Sequence, residues 1–269
     1  MRQKTCSHRV HIEDGSHPMG LLAGKVVLVA GASRGIGLAI AQSMAEAGAE
    51  VIVASRSEET LKKIAIELKG RPLVLDMASS ASIDAAVEAC GPIDVLVNVA
   101  GTNTRKRFEE FTTEEIGAIF QSNLFGPMQL TQKIGRKMIE RGAGGKIINI
   151  GSLTSMIGIP YISIYGASKG AVAEWTRCLA AEWGQHNIQV NCIAPGFILT
   201  DLNRVMWQAE ELQDWLRQSQ PNPRLGTPED IGPIAVYLAS PHSDYMTGQV
   251  LTVDGGHTVT AMWPFKPAS

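Results

Sequence analysis

From Lys25 onward the chain alternates short β-branched runs with helical patterns, and that rhythm limits its architecture more than any other feature. In order it reads "KVVLVA", "GLAIAQSMAEAGA", "EVIVAS", "EETLKKIAIELKG" and "RPLVLD". Further strand-like runs follow at "IDVLVNVAG", "GKIINIGS", "IQVNCIAPG" and "QVLTVDGG", separated by helical stretches near residues 113–141, 165–186 and 228–239. Such alternation is the sequence form of βαβ units. It predicts an α/β fold with a doubly wound parallel β-sheet. Every strand is nearly all apolar, so helices are expected to cover both faces. At 269 residues one large domain is expected rather than two.

Apolar residues make up 45% and charged residues 19%, with a formal net charge of -2. This balance provides no field for nucleic acid or for an anionic membrane surface, and no apolar stretch is long enough to span a bilayer. The four cysteines, Cys6, Cys90, Cys178 and Cys192, form no C-x-x-C pair and have no histidine cluster beside them. They read as reduced thiols of a cytoplasmic protein. Residues 1–20, "MRQKTCSHRVHIEDGSHPMG", lack the apolar core of a signal peptide. They are expected to be a disordered extension or to precede an alternative start at Met19. The spacing of His8, His11 and His17 fits no recognised metal site.

"VVLVAGASRGIGLAIAQ" is a strand, a glycine-rich turn and a helix start. Gly31, Gly35 and Gly37, spaced G-x-x-x-G-x-G, give a tight turn, close backbone approach to a pyrophosphate and close packing of helix on strand. An anion then sits at the helix N-terminus. The second strand ends in Ser55 and Arg56, where a cofactor with a free ribose 2'-hydroxyl is usually held by an acid. Arg56, with Arg34 of the glycine loop, would instead grip a 2'-phosphate. NADP(H) is therefore expected in preference to NAD(H), which stays possible.

Tyr165 and Lys169 in "YGASKG" lie one helical turn apart, so their polar ends meet over one spot. Between them Gly166, Ala167 and Ser168 would let a flat ring approach the helix.

Taken in order, "GASRGIG", "LVLD", "NVAG", "SNLFG", "INIGS", "YGASK" and "IAPGFILTD" resemble the short-chain dehydrogenase/reductase family, and the resemblance covers residues 21 to about 259. It implies a single-domain Rossmann fold over residues 21–269, an enzyme that interconverts a secondary alcohol and a ketone, and a homotetramer built on the helices at 113–141 and 165–186. The tail "AMWPF" would gain from burial against a neighbour. The resemblance assigns Tyr165 as acid/base, Ser152 to orient and polarise the substrate oxygen, Lys169 to hold the nicotinamide ribose and Asn123 to hold a water of the proton relay. It also places Ser33, Ile36, Asp76, Met77, Asn98, Ala100, Gly101, Pro195, Gly196, Ile198 and Thr200 against the cofactor. One departure is Val99, where the family usually has a second asparagine that steadies the central sheet.

A free tyrosine titrates near ~10, so work near neutrality asks for roughly 3 pH units, or about 4 kcal/mol. One ammonium about 4 Å away in a partly screened site supplies roughly that much. Lys169 is expected to be that ammonium.

"GTNTRKRFEEF", "GQHNIQVNCIAPGFILTDLN" and "NPRLGTPEDI" resemble the gluconate 5-dehydrogenase and deoxygluconate dehydrogenase branch, whose substrates are sugar acids. A cation among Arg105, Lys106 and Arg107 would suit a substrate carboxylate. Three readings stay open beside it: a 3-oxoacyl-acyl-carrier-protein reductase whose cations dock an acidic carrier, a solvated charge cluster, and a catalytically silent dinucleotide sensor. The segment 197–226, with Trp207 and Trp215, departs from the βα rhythm and reads as a substrate lid or as an extra packing helix pair.

Overall fold

The computed structural model describes residues 20–261. Cys6, His8, His11, His17 and all of "AMWPF" except Ala261 lie outside the described residues.

Seven strands form one parallel sheet: β1 (Val26–Ala30), β2 (Glu50–Ser55), β3 (Arg71–Val74), β4 (Val95–Asn98), β5 (Gly145–Ile150), β6 (Ile188–Pro195) and β7 (Val250–Val253). Their spatial order is β3-β2-β1-β4-β5-β6-β7. The helices are α1 (Gly35–Glu46), α2 (Glu58–Leu68), α3 (Ser80–Ala89), α4 (Thr113–Phe120), α5 (Gly126–Arg141), α6 (Ser163–Trp183), α7 (Glu210–Ser219) and α8 (Gly232–Ala239). Side chains alternate across the strands with a period of two. Val27, Val29, Val51, Val53 and Val97 pack with Ile40 and Met44 of α1, Leu61 of α2 and Leu238 of α8. Leu28, Ile52, Leu96 and Ile147 pack on the opposite side with Ile83 of α3, Leu130 and Ile134 of α5 and Leu179 of α6. Both faces of the central strands are thus covered, as a parallel sheet requires.

Three details differ from the sequence reading. β3 is an edge strand with Arg71, Pro72 and Val74 exposed, so burial on both faces does not extend to every strand. An edge is where a proline, which lacks an N–H, is tolerated. A helix, α3, lies between β3 and β4 where none was anticipated. The stretch 113–141 is not one helix, because a π turn at Gln121–Phe125 divides α4 from α5. Gly126 opens α5 so close to the backbone carbonyl of Met77 that a Cβ would run into it, and the extra residue in the π turn brings α5 onto that loop.

A buried polar ladder ties the middle of the sheet to its helices. Asn98 Nδ2 donates to Thr131 Oγ1 and to Asn149 Oδ1, each at 2.9 Å. Asn149 Nδ2 donates to Thr176 Oγ1 at 3.0 Å, and Thr176 Oγ1 donates to the Val172 carbonyl at 2.8 Å. Asn98 and Asn149 are also register partners of β4 and β5. These side chains therefore hold α5 and α6 at fixed positions against the strand ends. Asn149→Ala leaves a buried donor on Asn98 without its acceptor and the Thr176 hydroxyl without a donor, and is expected to lower stability by about 2 to 4 kcal/mol. Urea unfolding measures it, and an unchanged midpoint at constant slope would mean that the ladder is dispensable.

Candidate active site

The chain leaves β1 toward β2 and β3 on one side and returns to β4 on the other, so a crevice opens at the carboxyl ends of β1 and β4. The Gly31–Gly37 loop sits at its base. Gly31 has φ +104°, and a Cβ there would stand 2.6 Å from the Ala100 nitrogen at the end of β4. A Cβ on Gly37 would collide with the Gly31 carbonyl oxygen. The loop is therefore a tight cradle that only glycine permits at these two positions. α1 starts without a side-chain cap and without acidic residues in its first turn, which leaves its N–H groups and positive dipole end for an anion. Ser33 and Ile36 are half-buried within this turn, and Arg34 is exposed. Thr200 reaches over the loop, with its Cγ2 placed 3.5 Å from a Cβ on Gly35.

Ser55 and Arg56 lie beside the crevice at the end of β2. The Ser55 Oγ is buried without a hydrogen-bond partner among the described residues, and Arg56 is exposed without an ion pair. Asp76 and Met77 follow β3. The Asp76 carboxylate is occupied within its own turn, accepting from the Ala78 nitrogen at 2.9 Å, and Met77 is buried. Asn98 points its amide nitrogen into the polar ladder, and its Oδ1 has no partner among the described residues. Pro195 ends β6, Gly196 packs on Asp254, and Ile198 is buried where it bridges Gly226.

The reaction-centre candidates converge next to this cradle. Asn123 sits in the π turn and is 1% exposed. Its Oδ1 accepts from the Thr102 nitrogen at 2.7 Å, and its Nδ2 donates to the Thr102 carbonyl at 2.9 Å and to Ser168 Oγ at 3.0 Å. Ser168 Oγ in turn donates to the Tyr165 carbonyl at 2.7 Å. Gly101 lies between them, since a Cβ on it would approach Asn123 Oδ1 at 3.2 Å and Lys169 Nζ at 3.5 Å. Ser152 follows β5 and caps a short 3-10 turn, its Oγ accepting from the Thr154 nitrogen at 3.1 Å.

Lys169 is 4% exposed and donates from Nζ to the Ile150 carbonyl at 2.7 Å. Burial lowers its pKa to about 8, against a smaller upward pull from Cys192. For Tyr165 the expectation from the sequence is reversed. Burial pushes its phenol up, and the opposing influences are the Ser152 hydroxyl and the Arg105 guanidinium rather than Lys169. Lys169 Nζ stands 5.9 Å from the centre of the tyrosine ring and is turned toward the β5 carbonyl. Desolvation of the phenol thus outweighs the Ser152 hydrogen bond and the Arg105 charge, and the group is held protonated.

The basic triplet is divided. Lys106 is bound to Glu115 at 2.9 Å and lies over the Phe111 ring. Arg105 and Arg107 are exposed, without hydrogen bond or ion pair among the described residues, and the charge of Arg105 is felt at the tyrosine. Sequence reasoning overlooked Ser168, Thr102 and the Ile150 carbonyl as supports of Asn123 and Lys169. Only Ser168, adjacent to Lys169, left a signal there.

The family model described as enoyl-(acyl carrier protein) reductase matches residues 31–258. The chain belongs to the short-chain dehydrogenase/reductase family. It is similar to a gluconate 5-dehydrogenase of Gluconobacter oxydans (strain 621H), 41% identical over 255 residues that cover 91% of this chain and 99% of that protein. A 5-keto-D-gluconate 5-reductase of Escherichia coli (strain K12) is 39% identical over 247 residues, covering 88% and 97% respectively. Among solved structures, a gluconate 5-dehydrogenase from Burkholderia cenocepacia J2315 in complex with NADP and tartrate matches with a TM-score of 0.87 at 37% identity, covering 91% of this chain and 99% of that one. As a short-chain dehydrogenase/reductase, the chain is an NAD(P)-dependent oxidoreductase acting on CH–OH groups. A dinucleotide fits the residues present, because the glycine cradle, the uncapped α1 and the orphaned Ser55 hydroxyl all lie along one crevice. Gly37→Ala forces the loop apart and is expected to weaken NADPH at least ~10-fold, with the overall fold kept. Fluorescence titration with NADPH measures this, and wild-type affinity would mean that the loop is not the cradle.

Proposed function

We propose that the chain is an NADP(H)-linked enzyme that interconverts a keto and a hydroxyl group on a sugar acid of the gluconate type, as a cytoplasmic homotetramer. The observation that carries the substrate class is Arg105. It is a guanidinium on the loop after β4, without an ion pair among the described residues and near enough for its charge to act on the Tyr165 phenol, so that a carboxylate of a bound polyhydroxy acid would meet it. The names of the relatives support the same class.

In this reading Tyr165 gives its proton to the carbonyl oxygen during reduction and takes it back during oxidation. Ser152 donates a hydrogen bond to that oxygen, and burial keeps the phenol protonated until the substrate arrives. Lys169, fixed on the Ile150 carbonyl, holds the ribose and keeps a positive charge beside the tyrosine ring. Both side-chain donors of Asn123 are engaged, which leaves its backbone carbonyl in the π turn as the place for a relay water. Gly31, Ser33, Ile36 and Gly37 would hold the pyrophosphate side, with Ala100, Gly101, Pro195, Gly196, Ile198 and Thr200 lining the nicotinamide side. Bound there, NADP(H) supplies or accepts the hydride. Arg34 and Arg56, both exposed and without ion pairs among the described residues, support the phosphorylated cofactor over NAD(H). The segment 197–226 is read as the lid.

A groove of about 640 Å³ between α5 and α6, walled by Met128, Ile139, Trp175 and Trp183, supports the oligomer through these helices. Among the described residues no helix is long and apolar enough to cross a membrane.

Lys169 and Arg105 each give this reading a direct measurement. Lys169 has its folded pKa lowered to about 8, so its ammonium is present below that pH and lost above it. The kcat/KM for reduction is expected to be level below about pH 8 and to fall up to tenfold per pH unit above it. A profile that stays level to pH 10 would remove the ammonium from the reaction. Arg105→Ala is expected to cost about 2 to 4 kcal/mol of binding, seen as a raised KM, for a keto-gluconate, while reduction of a small uncharged diketone stays near wild type. Equal losses on both would make Arg105 a support of the loop. A wild type that ignores sugar acids but reduces an acetoacetyl thioester would transfer the assignment to the carrier-protein reductases.

A further inference from the structure

The segment between β6 and α8 has a small core of its own. Phe197, just past the end of β6, meets Trp207 edge-on at 5.5 Å and Trp215 of α7 edge-on at 5.3 Å. Trp207 and Leu216 are buried, while Leu202 at 73% and Val205 at 80% exposure lie open on the outgoing leg. The two legs meet at the Ile198–Gly226 bridge, with Leu199 donating to the Gly226 carbonyl at 2.8 Å and Gly226 to that of Phe197 at 2.9 Å. The segment is thus a unit closed at its base, with an aromatic interior.

A fourth ring completes that interior from outside the segment. His257 lies on the turn after β7, 5.1 Å from Phe197 at an interplanar angle of 89° and 5.7 Å from Trp215. The turn that carries it is rigid. Asp254 accepts from the Gly256 and Thr258 nitrogens at 3.0 and 2.8 Å and from the Thr258 hydroxyl at 2.6 Å. The returning leg is fastened to the same turn, with Asn222 donating to the Gly255 carbonyl at 3.0 Å and Pro221 packed on Gly256. The Nδ1 of His257 is buried with no hydrogen-bond partner among the described residues, so its tie to the segment is made through the faces and edges of Phe197 and Trp215, while the charge of Asp254 acts on it from its own turn.

We infer that His257 is a positioning residue: it latches the 197–226 segment to the sheet and so sets how closely that segment covers the substrate side of the crevice. This rests on the reading of the segment as the substrate lid. His257 touches neither the glycine cradle nor any of Asn123, Ser152, Tyr165 and Lys169. Ile198 and Thr200, the residues of the segment that line the nicotinamide side, are held at its base by the Gly226 bridge and by the Asn203 side chain, so loss of the His257 ring acts mainly on substrate capture. Because the contact is one of ring edges and faces, another aromatic ring can replace it.

The test compares the wild-type chain with His257→Ala and His257→Phe. Removing the ring is expected to raise the KM for a keto-gluconate about tenfold, near the factor by which one edge-to-face aromatic contact shifts an equilibrium. The kcat stays within about twofold, NADPH affinity is unchanged, and tryptophan emission moves to the red as Trp215 and Trp207 gain water. His257→Phe restores both KM and emission. Emission needs no substrate, so a wild type inactive on sugar acids fails the functional reading while the latch is still decided. An alanine variant with wild-type emission and KM overturns the inference. So does a loss shared equally by kcat, NADPH affinity and the unfolding midpoint, or a phenylalanine variant no better than alanine.

Discussion

A lysine ammonium in the interior, held on a main-chain carbonyl, is the constraint around which the site is built. Taking that charge out of water is costly, and burial accordingly lowers its pKa to about 8. The position is tenable because the Ile150 carbonyl, at the last residue of β5, has no further strand residue to engage it. Ser155 adds a second restraint by donating to the carbonyl of Lys169 itself. The relation between β5 and α6 must therefore be fixed to a fraction of an ångström. The Asn98–Asn149–Thr176 ladder, which crosses from β4 through β5 into α6, supplies that rigidity.

The π turn solves a related problem. α4 and α5 must run continuously enough to bury Ile119 and Leu130, yet Asn123 has to project against Thr102 and Ser168. One extra residue in the helix rotates it into place, and Gly126 lets the next turn press on the Met77 backbone. Asn123 thereby joins the loop after β4 to α6, and a displacement of either would be felt at Tyr165 through Ser168.

Much of this was legible in the sequence because it is local. The βα alternation showed a parallel sheet and the succession of its strands along the chain, and the glycine spacing showed the tight turn after β1. The motif at 165–169 put Tyr165 and Lys169 on one face of a helix. α3 was readable in retrospect: Ser79 caps it by accepting from the Ser82 nitrogen, and Ile83, Ala86 and Val87 keep helical spacing. What stayed hidden depends on distant contacts. The π turn follows from the meeting of Gly126 with a loop some fifty residues earlier. β3 reads as apolar, but only the sheet order reveals it as an edge. The assignment of the tuning cation to Lys169 failed for the same reason: helical spacing puts two side chains on one face without saying which way the ammonium turns. Here a strand carbonyl captures it, and Arg105, sixty residues upstream, becomes the cation that opposes burial at the phenol.

That division also assigns the work within the site. Groups that must hold sub-ångström positions sit on strand ends and on α6, where buried hydrogen bonds and two apolar layers immobilise them. On the proposed reading, the groups that meet the variable part of a substrate sit on exposed stretches with few ties to the body. Arg105 stands on an exposed loop whose neighbour Lys106 is anchored to Glu115, and the 197–226 segment carries its own aromatic core. A substitution in the first set alters chemistry and stability together, because the same bonds serve both. In the second set a change at an exposed position such as Arg105, Leu202 or Val205 is expected to alter recognition at little cost to the fold, whereas Ile198 at the base of the segment packs into the core of the sheet. Relatives at about 40% identity are named for gluconate, deoxygluconate and polyol substrates, the spread expected where chemistry is held by the sheet and specificity by its loosest attachments.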